Sequence, residues 1–375
     1  MIRKVVAVCV GGALGATALA AGPAGAKTDH HPELRKVVER LTEKDGTPGA
    51  FAETRDRFGR TVITSGVGDA RTGAPMPREG LFRAGSLTKP FVATVVLQLA
   101  GEGDIDLDAP VERYLPGLIT GNGNEGSEIS VRQLLEQRTG LPDYLALVGI
   151  PNIIKDPLAH RDRYAMLRLA LGKQREFVPG DKWGYSNTNY LVAALIVEKV
   201  TGNTLETELK RRVIKPLKLS DTSFPIDRTT IPKRHSRGYV RPAPGADLLD
   251  LTALNPSVSW GGGNLISSGR DINRFMGALV GGRLLRPEQQ RALMTVKPTG
   301  RPSGAEYGLG LQRLSLPCGG YFWGHDGDMI GFTARGYATE EGAQVTVMAN
   351  LHPGHTPEQK ADLNAAVTTA LCESK

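Results

Sequence analysis

Ser86 and Lys89 stand three residues apart in the stretch RAGSLTKPFVATVVLQLAGEG, whose apolar run predicts a helix that ends at the break over residues 101–103. Residues three apart share one face of a helix. If burial removes the proton from the Lys89 ammonium group, the amine can accept the hydroxyl proton while Ser86 attacks a carbonyl carbon. The alternative is a capping serine beside a solvated lysine, and one Ser-x-x-Lys match is expected by chance about once in a chain of this length.

Two other stretches could supply partners for this pair. WGYSNTNYLVAAL places Tyr185 and Asn187 just before an apolar helix. A tyrosine beside two cations can shift toward the phenolate and act as a second base, and an asparagine amide can donate to and accept from a substrate amide. YFWGHDGDMIGF places His325 on a predicted strand near Gly324 and Gly327. Considered one at a time, these residues have structural alternatives: Tyr185 as a buried aromatic residue, Asn187 as a helix cap and His325 as a core histidine.

Strand patterns lie near both ends of the chain, and helical patterns fill the middle. Residues 49–70 predict a hairpin, four segments between residues 307 and 351 predict further strands, and residues 32–43 and 357–372 predict helices. This order predicts an α+β fold with one antiparallel sheet, assembled from the N- and C-terminal segments, flanked by helices and carrying an inserted, mainly helical lobe. We expect the site in the cleft between the lobes.

The first 26 residues have the composition of a secretory signal peptide. Arg3 and Lys4 precede an apolar run over residues 5–21, and residues 24–26 (Ala-Gly-Ala) match a cleavage site. A membrane anchor is the alternative, but the run is short and rich in glycine and alanine. We therefore expect a secreted, extracellular protein with no stable membrane anchor. The predicted segments are a signal peptide at 1–26, a sheet lobe at 27–100 and 255–375, and a helical lobe at 101–254.

The formal charge of +7 comes from scattered basic residues and not from a continuous basic stripe. Nucleic acid is therefore not expected as a partner. No later segment reaches about 18 uninterrupted apolar residues, which argues against a membrane span there. We expect a monomer whose partner is a small peptide, amide or ester substrate, peptidoglycan-derived fragments included.

Cys318 and Cys372 are the two cysteines that remain once Cys9 leaves with the signal peptide. In an exported chain two cysteines predict one disulfide, which here would tie the last helix to the preceding sheet. Two free buried thiols are the alternative. His352 and His355 lie in a loop rich in proline and glycine without further ligand spacing. We therefore expect no metal site and no cofactor.

The three candidate motifs occur in the order Ser-x-x-Lys, Tyr-Ser-Asn and His-x-Gly. With them, the chain resembles the serine β-lactamase and penicillin-binding superfamily, specifically the branch of class C β-lactamases and secreted D-alanyl-D-alanine carboxypeptidases. The resemblance extends over nearly all of the chain after the signal peptide and includes ISVRQLLEQRTGLPDY, PGDKWGYSNTNYLVAALIVEKVTG, VSWGGGNLISSGRDINRFMGAL and YGLGL. The cysteine pair near the C-terminus also resembles the disulfide of the secreted carboxypeptidases.

The resemblance implies a role for each matching residue of the reaction. Ser86 would be the acylated nucleophile and Lys89 its base partner. Tyr185 would shuttle the proton. His325 takes the place of the lysine in the Lys-Thr-Gly strand motif of β-lactamases, as in carboxypeptidases that have His-Thr-Gly.

Substrate contacts follow from the same resemblance. Asn187 would hold the amide side chain or carbonyl of the substrate, and Trp260 would line the cleft. The backbone N–H groups of Ser86 and Asp328 would form the oxyanion hole.

The strand motif departs from the carboxypeptidase pattern. Where the family has His-Thr-Gly-Thr, this chain has aspartates at the threonine positions, Asp326 and Asp328. In the family the threonines, helped by an arginine after the Gly-Leu-Gly-Leu run, hold the terminal carboxylate of the substrate. Here Gln312 follows that run, and strand alternation points Arg313 to the opposite face. Each aspartate would oppose a substrate carboxylate by about 1–4 kcal/mol, unless one is protonated or paired with Arg313.

The sequence therefore separates the chemistry from the specificity. It predicts a secreted serine hydrolase of the carboxypeptidase and β-lactamase type, acting through an acyl-enzyme on D-amino-acid peptides or related amides. Two alternatives stay open. One is an esterase or a D-specific endopeptidase or aminopeptidase that lacks carboxylate recognition, and the other is a penicillin-binding sensor that is acylated without turnover.

Overall fold

A single antiparallel sheet joins strands from both ends of the chain. In this computed structural model the described residues are 1–9, 29–354 and 356–375, and residues 31–375 form one compact unit. The strands, in chain order, are β1 (Gly49–Asp56), β2 (Gly59–Asp69), β3 (Ala74–Pro75), β4 (Phe82–Arg83), β5 (Tyr239–Val240), β6 (Leu249–Asp250), β7 (Ile266–Ser267), β8 (Lys297–Pro298), β9 (Glu306–Tyr307), β10 (Gln312–Ser315), β11 (Tyr321–Met329), β12 (Phe332–Ala338) and β13 (Gln344–Ala349).

The main sheet has the strand order β3-β2-β1-β13-β12-β11-β10-β9-β8. β1 and β2 form the predicted hairpin, in which Asp56 pairs with Gly59. β1 also pairs with β13, with Ala50 opposite Ala349, and this pairing joins the N-terminal and C-terminal parts of the chain. The predicted fold class is confirmed.

Helices cover both faces of this sheet. Others lie in the part of the chain between its N-terminal and C-terminal strands. They are α1 (Pro32–Glu43), α2 (Thr88–Glu102), α3 (Val131–Leu135), α4 (Tyr144–Val148), α5 (Ile150–Lys155), α6 (Arg163–Leu171), α7 (Asn187–Thr201), α8 (Leu205–Leu209), α9 (Gly269–Val280), α10 (Pro287–Met294) and α11 (Pro357–Glu373). Residues 101–254 hold α3 to α8 together with β5 and β6. The division into a sheet lobe and a helical lobe stays a prediction.

Each face of the sheet has its own apolar core because successive residues of a strand point to opposite faces. Val345 and Val347 of β13 pack beneath α1 and α11, on what we call the α11 face. Met348 of β13 and Ala334 of β12 pack on the other side, beneath α2 and α9, which we call the α2 face. The candidate catalytic residues lie at the boundary between these two faces.

Helices α2 and α7 are apolar on nearly all sides and pack against each other in the interior. A helix that is apolar all round is buried, so the residues at the start of each helix are also drawn into the protein. For this reason Lys89 and Asn187 are buried although their side chains are polar.

Cys318 and Cys372 form the predicted disulfide, which ties the connection between β10 and β11 to the end of α11. The predicted cleavage site after Ala26, and His355, lie outside the described residues. Among the residues that are described, no helix has the length and apolar character needed to cross a bilayer.

Candidate active site

Ser86 lies on a 3₁₀ turn, Gly85–Leu87, that leads directly into α2. Its Oγ accepts a hydrogen bond from Lys89 Nζ at 2.9 Å and another from the Tyr185 hydroxyl at 2.7 Å. The first contact follows from the spacing of three residues, and the second connects α2 to the residues that precede α7. The structure therefore brings three of the predicted catalytic side chains together around one oxygen atom.

The Lys89 ammonium group is buried and is held by three oxygen atoms. Besides Ser86 Oγ, Nζ donates to Asn187 Oδ1 at 2.8 Å and to the Gly262 carbonyl at 3.0 Å. Burial lowers the pKa of Lys89 to about 7, while the negative charge of Asp143 acts in the opposite direction. A lysine with this pKa exchanges its proton near neutral pH, which is the property a general base requires.

The Tyr185 hydroxyl is a neutral phenol in this environment. Burial raises its pKa well above the usual value. The expected shift toward the phenolate is therefore wrong, because the site does not surround the ring with two fixed cations. Lys89 has a pKa near 7, and His325, which takes the place of the lysine in the family's strand motif, is neutral.

His325 is buried on β11, and its ring contacts a second tyrosine. Its Nε2 lies 2.9 Å from the Tyr307 hydroxyl, and its Nδ1 lies 2.5 Å from the Asp326 carbonyl oxygen. Burial, followed by the nearby charge of Lys89, lowers the pKa of His325 to about 4. A histidine in this state offers hydrogen bonds to the site but no positive charge at neutral pH.

The turn that carries Ser86 packs directly against the edge of β11. β10 pairs with β11 only over residues 321–324, so residues 325–329 pair with β12 alone among the described strands. Gly85 has φ +53°, and a Cβ there would lie 2.5 Å from the Asp328 carbonyl oxygen and 2.8 Å from its nitrogen. Only glycine permits this approach. The oxyanion hole of Ser86 and Asp328 N–H groups stays a prediction, but the two backbones it requires are adjacent.

Asp326 and Asp328 face Arg335, which the sequence analysis did not consider. Arg335 Nε lies 3.1 Å from Asp326 Oδ1, and Nη1 lies 3.5 Å from Asp328 Oδ1. The Tyr337 hydroxyl donates to Asp326 Oδ1 at 2.7 Å. One guanidinium group beside two carboxylates leaves this group of side chains with an excess of negative charge.

Arg313 is not the partner of either aspartate, contrary to the option left open above. Its guanidinium group bonds Glu306, with Nε 2.8 Å from Oε2, and lies over the ring of Tyr321. As strand alternation predicts, Gln312 and Arg313 point to opposite faces of β10. Gln312 lines the cavity at the site, whereas Arg313 does not.

A cavity of about 840 Å³ extends from Ser86 past the edge of β11 to the α11 face of the sheet. Its polar and charged lining residues include Ser86, Tyr185, Asn187, Arg301, Gln312, His325, Asp326, Asp328, Arg335, Tyr337, Lys360, Asn364 and Thr368. The expectation that Trp260 lines the cleft is wrong, because Trp260 is not among the residues that line this cavity. It is buried in the core with the Arg163 guanidinium 4.3 Å from its ring centroid.

Asp143 is a residue of the site that the sequence analysis did not single out. Its carboxylate accepts hydrogen bonds from the side chain of Asn187, with Nδ2 at 3.1 Å from Oδ2. Because Asn187 Oδ1 accepts from Lys89, the hydrogen-bonding groups of this amide face the protein at both ends. A substrate contact by Asn187 stays a prediction. The available signal for Asp143 was its place just before the helix α4.

Comparisons with known proteins agree with this arrangement. The family model described as Beta-lactamase matches residues 34–370. The crystal structure of a D-stereospecific amidohydrolase from Streptomyces sp. is 34% identical, with a TM-score of 0.84, and the match covers 91% of this chain and 98% of that one.

Two curated relatives are more distant or match a shorter part of the chain. Penicillin-binding protein 4* of Bacillus subtilis is 25% identical over 319 residues, which is 82% of this chain and 68% of that protein. Esterase EstB of Burkholderia gladioli is 35% identical over 168 residues, which is 42% of either chain.

The family match spans most of the chain and includes the turn with Ser86, the start of α7 and the edge of β11. The similar structure from Streptomyces is related over nearly its whole length. On this evidence, the chain belongs to the beta-lactamase family of serine hydrolases.

Proposed function

We propose that the protein is a secreted hydrolase that cleaves amides of D-amino acids, or of short peptides built from them, through an acyl-enzyme on Ser86. The observation that supports the chemistry is the pair of hydrogen bonds to Ser86 Oγ, from Lys89 Nζ at 2.9 Å and from the Tyr185 hydroxyl at 2.7 Å. A nucleophile with two adjacent proton-transfer groups is suited to acyl transfer.

Acylation begins with Lys89 in its neutral form. The amine takes the proton of the Ser86 hydroxyl as Oγ forms a bond to the carbonyl carbon of the substrate. The carbonyl oxygen becomes an oxyanion, which the N–H groups of Ser86 and Asp328 stabilise. Burial lowers the pKa of Lys89 to about 7, so a large share of the protein carries the amine at neutral pH.

Tyr185 acts on the leaving group. Its hydroxyl gives a proton to the departing nitrogen or oxygen as the bond to the carbonyl carbon breaks, and the Lys89 ammonium group returns a proton to the phenolate. Nζ lies 4.8 Å from the centroid of the Tyr185 ring, where its positive charge stabilises that short-lived anion. A water molecule then attacks the ester carbon, and the same proton transfers in reverse release the acid and restore Ser86.

The aspartates favour a leaving group without a carboxylate. Asp326 and Asp328 lie in the same cavity as Ser86, and both carboxylates share the charge of Arg335. Arg301 and Lys360 also line the cavity, but a free terminal carboxylate placed directly beside the two aspartates meets their repulsion. Ammonia or another small neutral leaving group does not, which agrees with the similarity to a D-stereospecific amidohydrolase.

A panel of matched substrates tests the proposal. Purified protein is incubated with a D-Ala-D-Ala peptide, with its C-terminal amide, with the amide of the L-enantiomer and with a p-nitrophenyl ester, and products are followed by mass spectrometry. The D-amide is expected to be cleaved at least tenfold faster than the free peptide or the L-amide. Efficient release of D-alanine from the free peptide would contradict the proposed specificity.

An esterase is the second candidate, and the 35% identity to Esterase EstB over 168 residues supports it. The same panel separates the two functions, because an esterase cleaves the p-nitrophenyl ester and leaves the amides intact. A persistent mass increase on the protein, with no product, would instead identify a sensor that is acylated without turnover.

A further inference from the structure

Asp143 connects the first residues of two helices behind the candidate nucleophile. It is the residue before α4, where its Oδ1 accepts from the Leu145 N–H at 3.0 Å. The same oxygen accepts from the Asn187 N–H, at the start of α7, at 3.1 Å. Three donors therefore converge on a carboxylate that is largely enclosed, and the third of them is the side-chain amide of Asn187.

The Asn187 amide has one possible orientation between its two neighbours. Its Nδ2 donates to Asp143 at 3.1 and 3.2 Å, and its Oδ1 accepts from Lys89 Nζ at 2.8 Å. A carboxylate only accepts hydrogen bonds and an ammonium group only donates them. If the amide were reversed, oxygen would face the Asp143 carboxylate and hydrogen atoms would face the Lys89 ammonium group. Asp143 therefore determines which end of the amide Lys89 meets.

We propose that Asp143 is a positioning residue for acylation, which fixes the Asn187 amide so that Oδ1 holds Lys89 Nζ beside Ser86. This inference rests on the nucleophilic role proposed for Ser86. In the row Asp143–Asn187–Lys89–Ser86, each member meets its neighbour through a hydrogen bond of 3.1, 2.8 or 2.9 Å. Replacing the Asp143 carboxylate with an amide of the same size keeps all four side chains of the row. It removes the group that fixes which end of the Asn187 amide faces Lys89.

The charge of Asp143 also acts on the proton affinity of Lys89. The groups that face Lys89 are Tyr185 and Tyr190 from the α7 side, His325 from β11 and Asp143 from the start of α4. Both tyrosines and the histidine are uncharged at neutral pH. Burial lowers the pKa of Lys89 and the Asp143 carboxylate raises it, so loss of that charge should lower the pKa further.

The charge of Asp143 also acts on Tyr144, Tyr185 and Glu176. The negative charge of Asp143 raises the pKa of each of them, after the larger effect of burial. Tyr144 is uncharged throughout the neutral range. Glu176 is exposed at the surface.

Asp143→Asn tests the inference, because it keeps the size of the side chain and an oxygen that can accept from both backbone N–H groups. Asparagine caps helices about as well as aspartate. The acylation rate is measured from the burst of p-nitrophenol on mixing with a p-nitrophenyl ester, between pH 5 and 9. We expect the maximal rate to fall at least tenfold, and the midpoint of the acid limb to move to lower pH by about one unit.

Asp162→Asn is the matched control. Asp162 caps α6 in the same way, accepting from the Ala165 N–H at 2.7 Å, but it has no contact with Asn187 or Lys89 among those described. It should leave both the rate and the midpoint unchanged. Asp143→Ser is a second test variant, since serine also caps helices but is too short to orient the Asn187 amide; it is used if Asp143→Asn does not fold.

The outcomes separate positioning from a purely structural role. A lower rate together with a midpoint at lower pH supports the inference. An unchanged rate, or a lower rate with the midpoint of the wild type, overturns it, because a capping role alone would not move the titration of Lys89. Labelling of the wild type at Ser86 by a fluorophosphonate probe tests the proposed function separately, so the two can fail independently.

Discussion

Asp326 lies directly opposite Arg335 in the pairing of β11 with β12, and its carboxylate is 3.1 Å from Arg335 Nε. Asp328 shares the same guanidinium group at 3.5 Å. Arg335 is buried, whereas the two carboxylates are partly exposed to solvent. The two aspartates therefore supply the negative charge that faces this buried guanidinium group.

The double variant Asp326→Thr with Asp328→Thr should improve the handling of a free carboxylate. It removes two negative charges and leaves Arg335 facing the cavity with its charge uncompensated. We expect kcat/KM for a D-Ala-D-Ala peptide to rise about tenfold or more, which corresponds to about 1.4 kcal/mol. A neutral p-nitrophenyl ester is the control substrate, and its kcat/KM should change much less.

Two results would speak against this account of the aspartates. The first is a wild type that already removes D-alanine efficiently and a double variant that does so less well, which would mean that the aspartates help to hold the substrate. The second is a rise of equal size for the neutral ester. A lower melting temperature of the double variant is expected in any case, because Arg335 is buried and loses both carboxylates.

Ser86→Ala should abolish covalent labelling by a fluorescent β-lactam or phosphonate probe. The hydroxyl oxygen that accepts from Lys89 and Tyr185 is the atom that would carry the adduct. Gel fluorescence and intact-protein mass spectrometry report the labelling. Ser186→Ala is a useful control, since this serine precedes α7 but takes no part in the hydrogen bonds to Ser86 that are described. Undiminished labelling of Ser86→Ala would remove Ser86 from the mechanism.

The pH dependence of acylation should show an acid limb with a midpoint near pH 7. Burial lowers the pKa of Lys89 to about 7, and only the neutral amine accepts a proton, so the rate should rise as pH increases through this value. Lys89→Arg should lower the acylation rate by about 10²–10⁴-fold, because a guanidinium group stays protonated. An acid limb below pH 5, or an active arginine variant, would exclude Lys89 as the base.

Cys318 and Cys372 should both resist alkylation in the purified protein when it is denatured without a reductant. Peptide mass spectrometry checks this directly. The double variant Cys318→Ser with Cys372→Ser should lose about 2–4 kcal/mol in the free energy of unfolding, since the bridge closes a long loop. Because the bridge joins the β10–β11 connection to the end of α11 and not to the Ser86 turn, acylation below the melting temperature should be retained.

Several parts of the fold and site could be predicted because the signal is local. The hairpin of β1 and β2 follows from alternation around a short turn, and the contact of Ser86 with Lys89 follows from a spacing of three residues across the 3₁₀ turn and the start of α2. The approach of Tyr185 depends on the packing of α7 against α2, which no local pattern encodes. The place of Tyr185 beside Ser86 was predicted from the resemblance to a known family.

The partner of the aspartates could have been found from the hairpin register. β11 and β12 are joined by a turn at residues 330–331, so residues equally distant from that turn face each other, Asp326 with Arg335 and Asp328 with Thr333. Arg313, the arginine considered from the sequence, lies on the adjacent strand β10. The place of Trp260 could not be predicted from the local sequence, because its ring packs against Arg163, nearly 100 residues away in the chain.

The contact between the Gly85 turn and the backbone of Asp328 has a consequence for how this protein can change. Residue 328 packs through its main chain against Gly85, in the turn that carries Ser86, while its carboxylate lies on the α11 face of the sheet with Arg335. If the two aspartates select the leaving group as proposed, substitutions at positions 326 and 328 should alter that selection without displacing the backbone that packs against Gly85. Gly85 has no such freedom, since the smallest side chain would separate the turn from the strand. At this edge of the sheet, side chains at two positions can change while the glycine that sets the distance between turn and strand cannot.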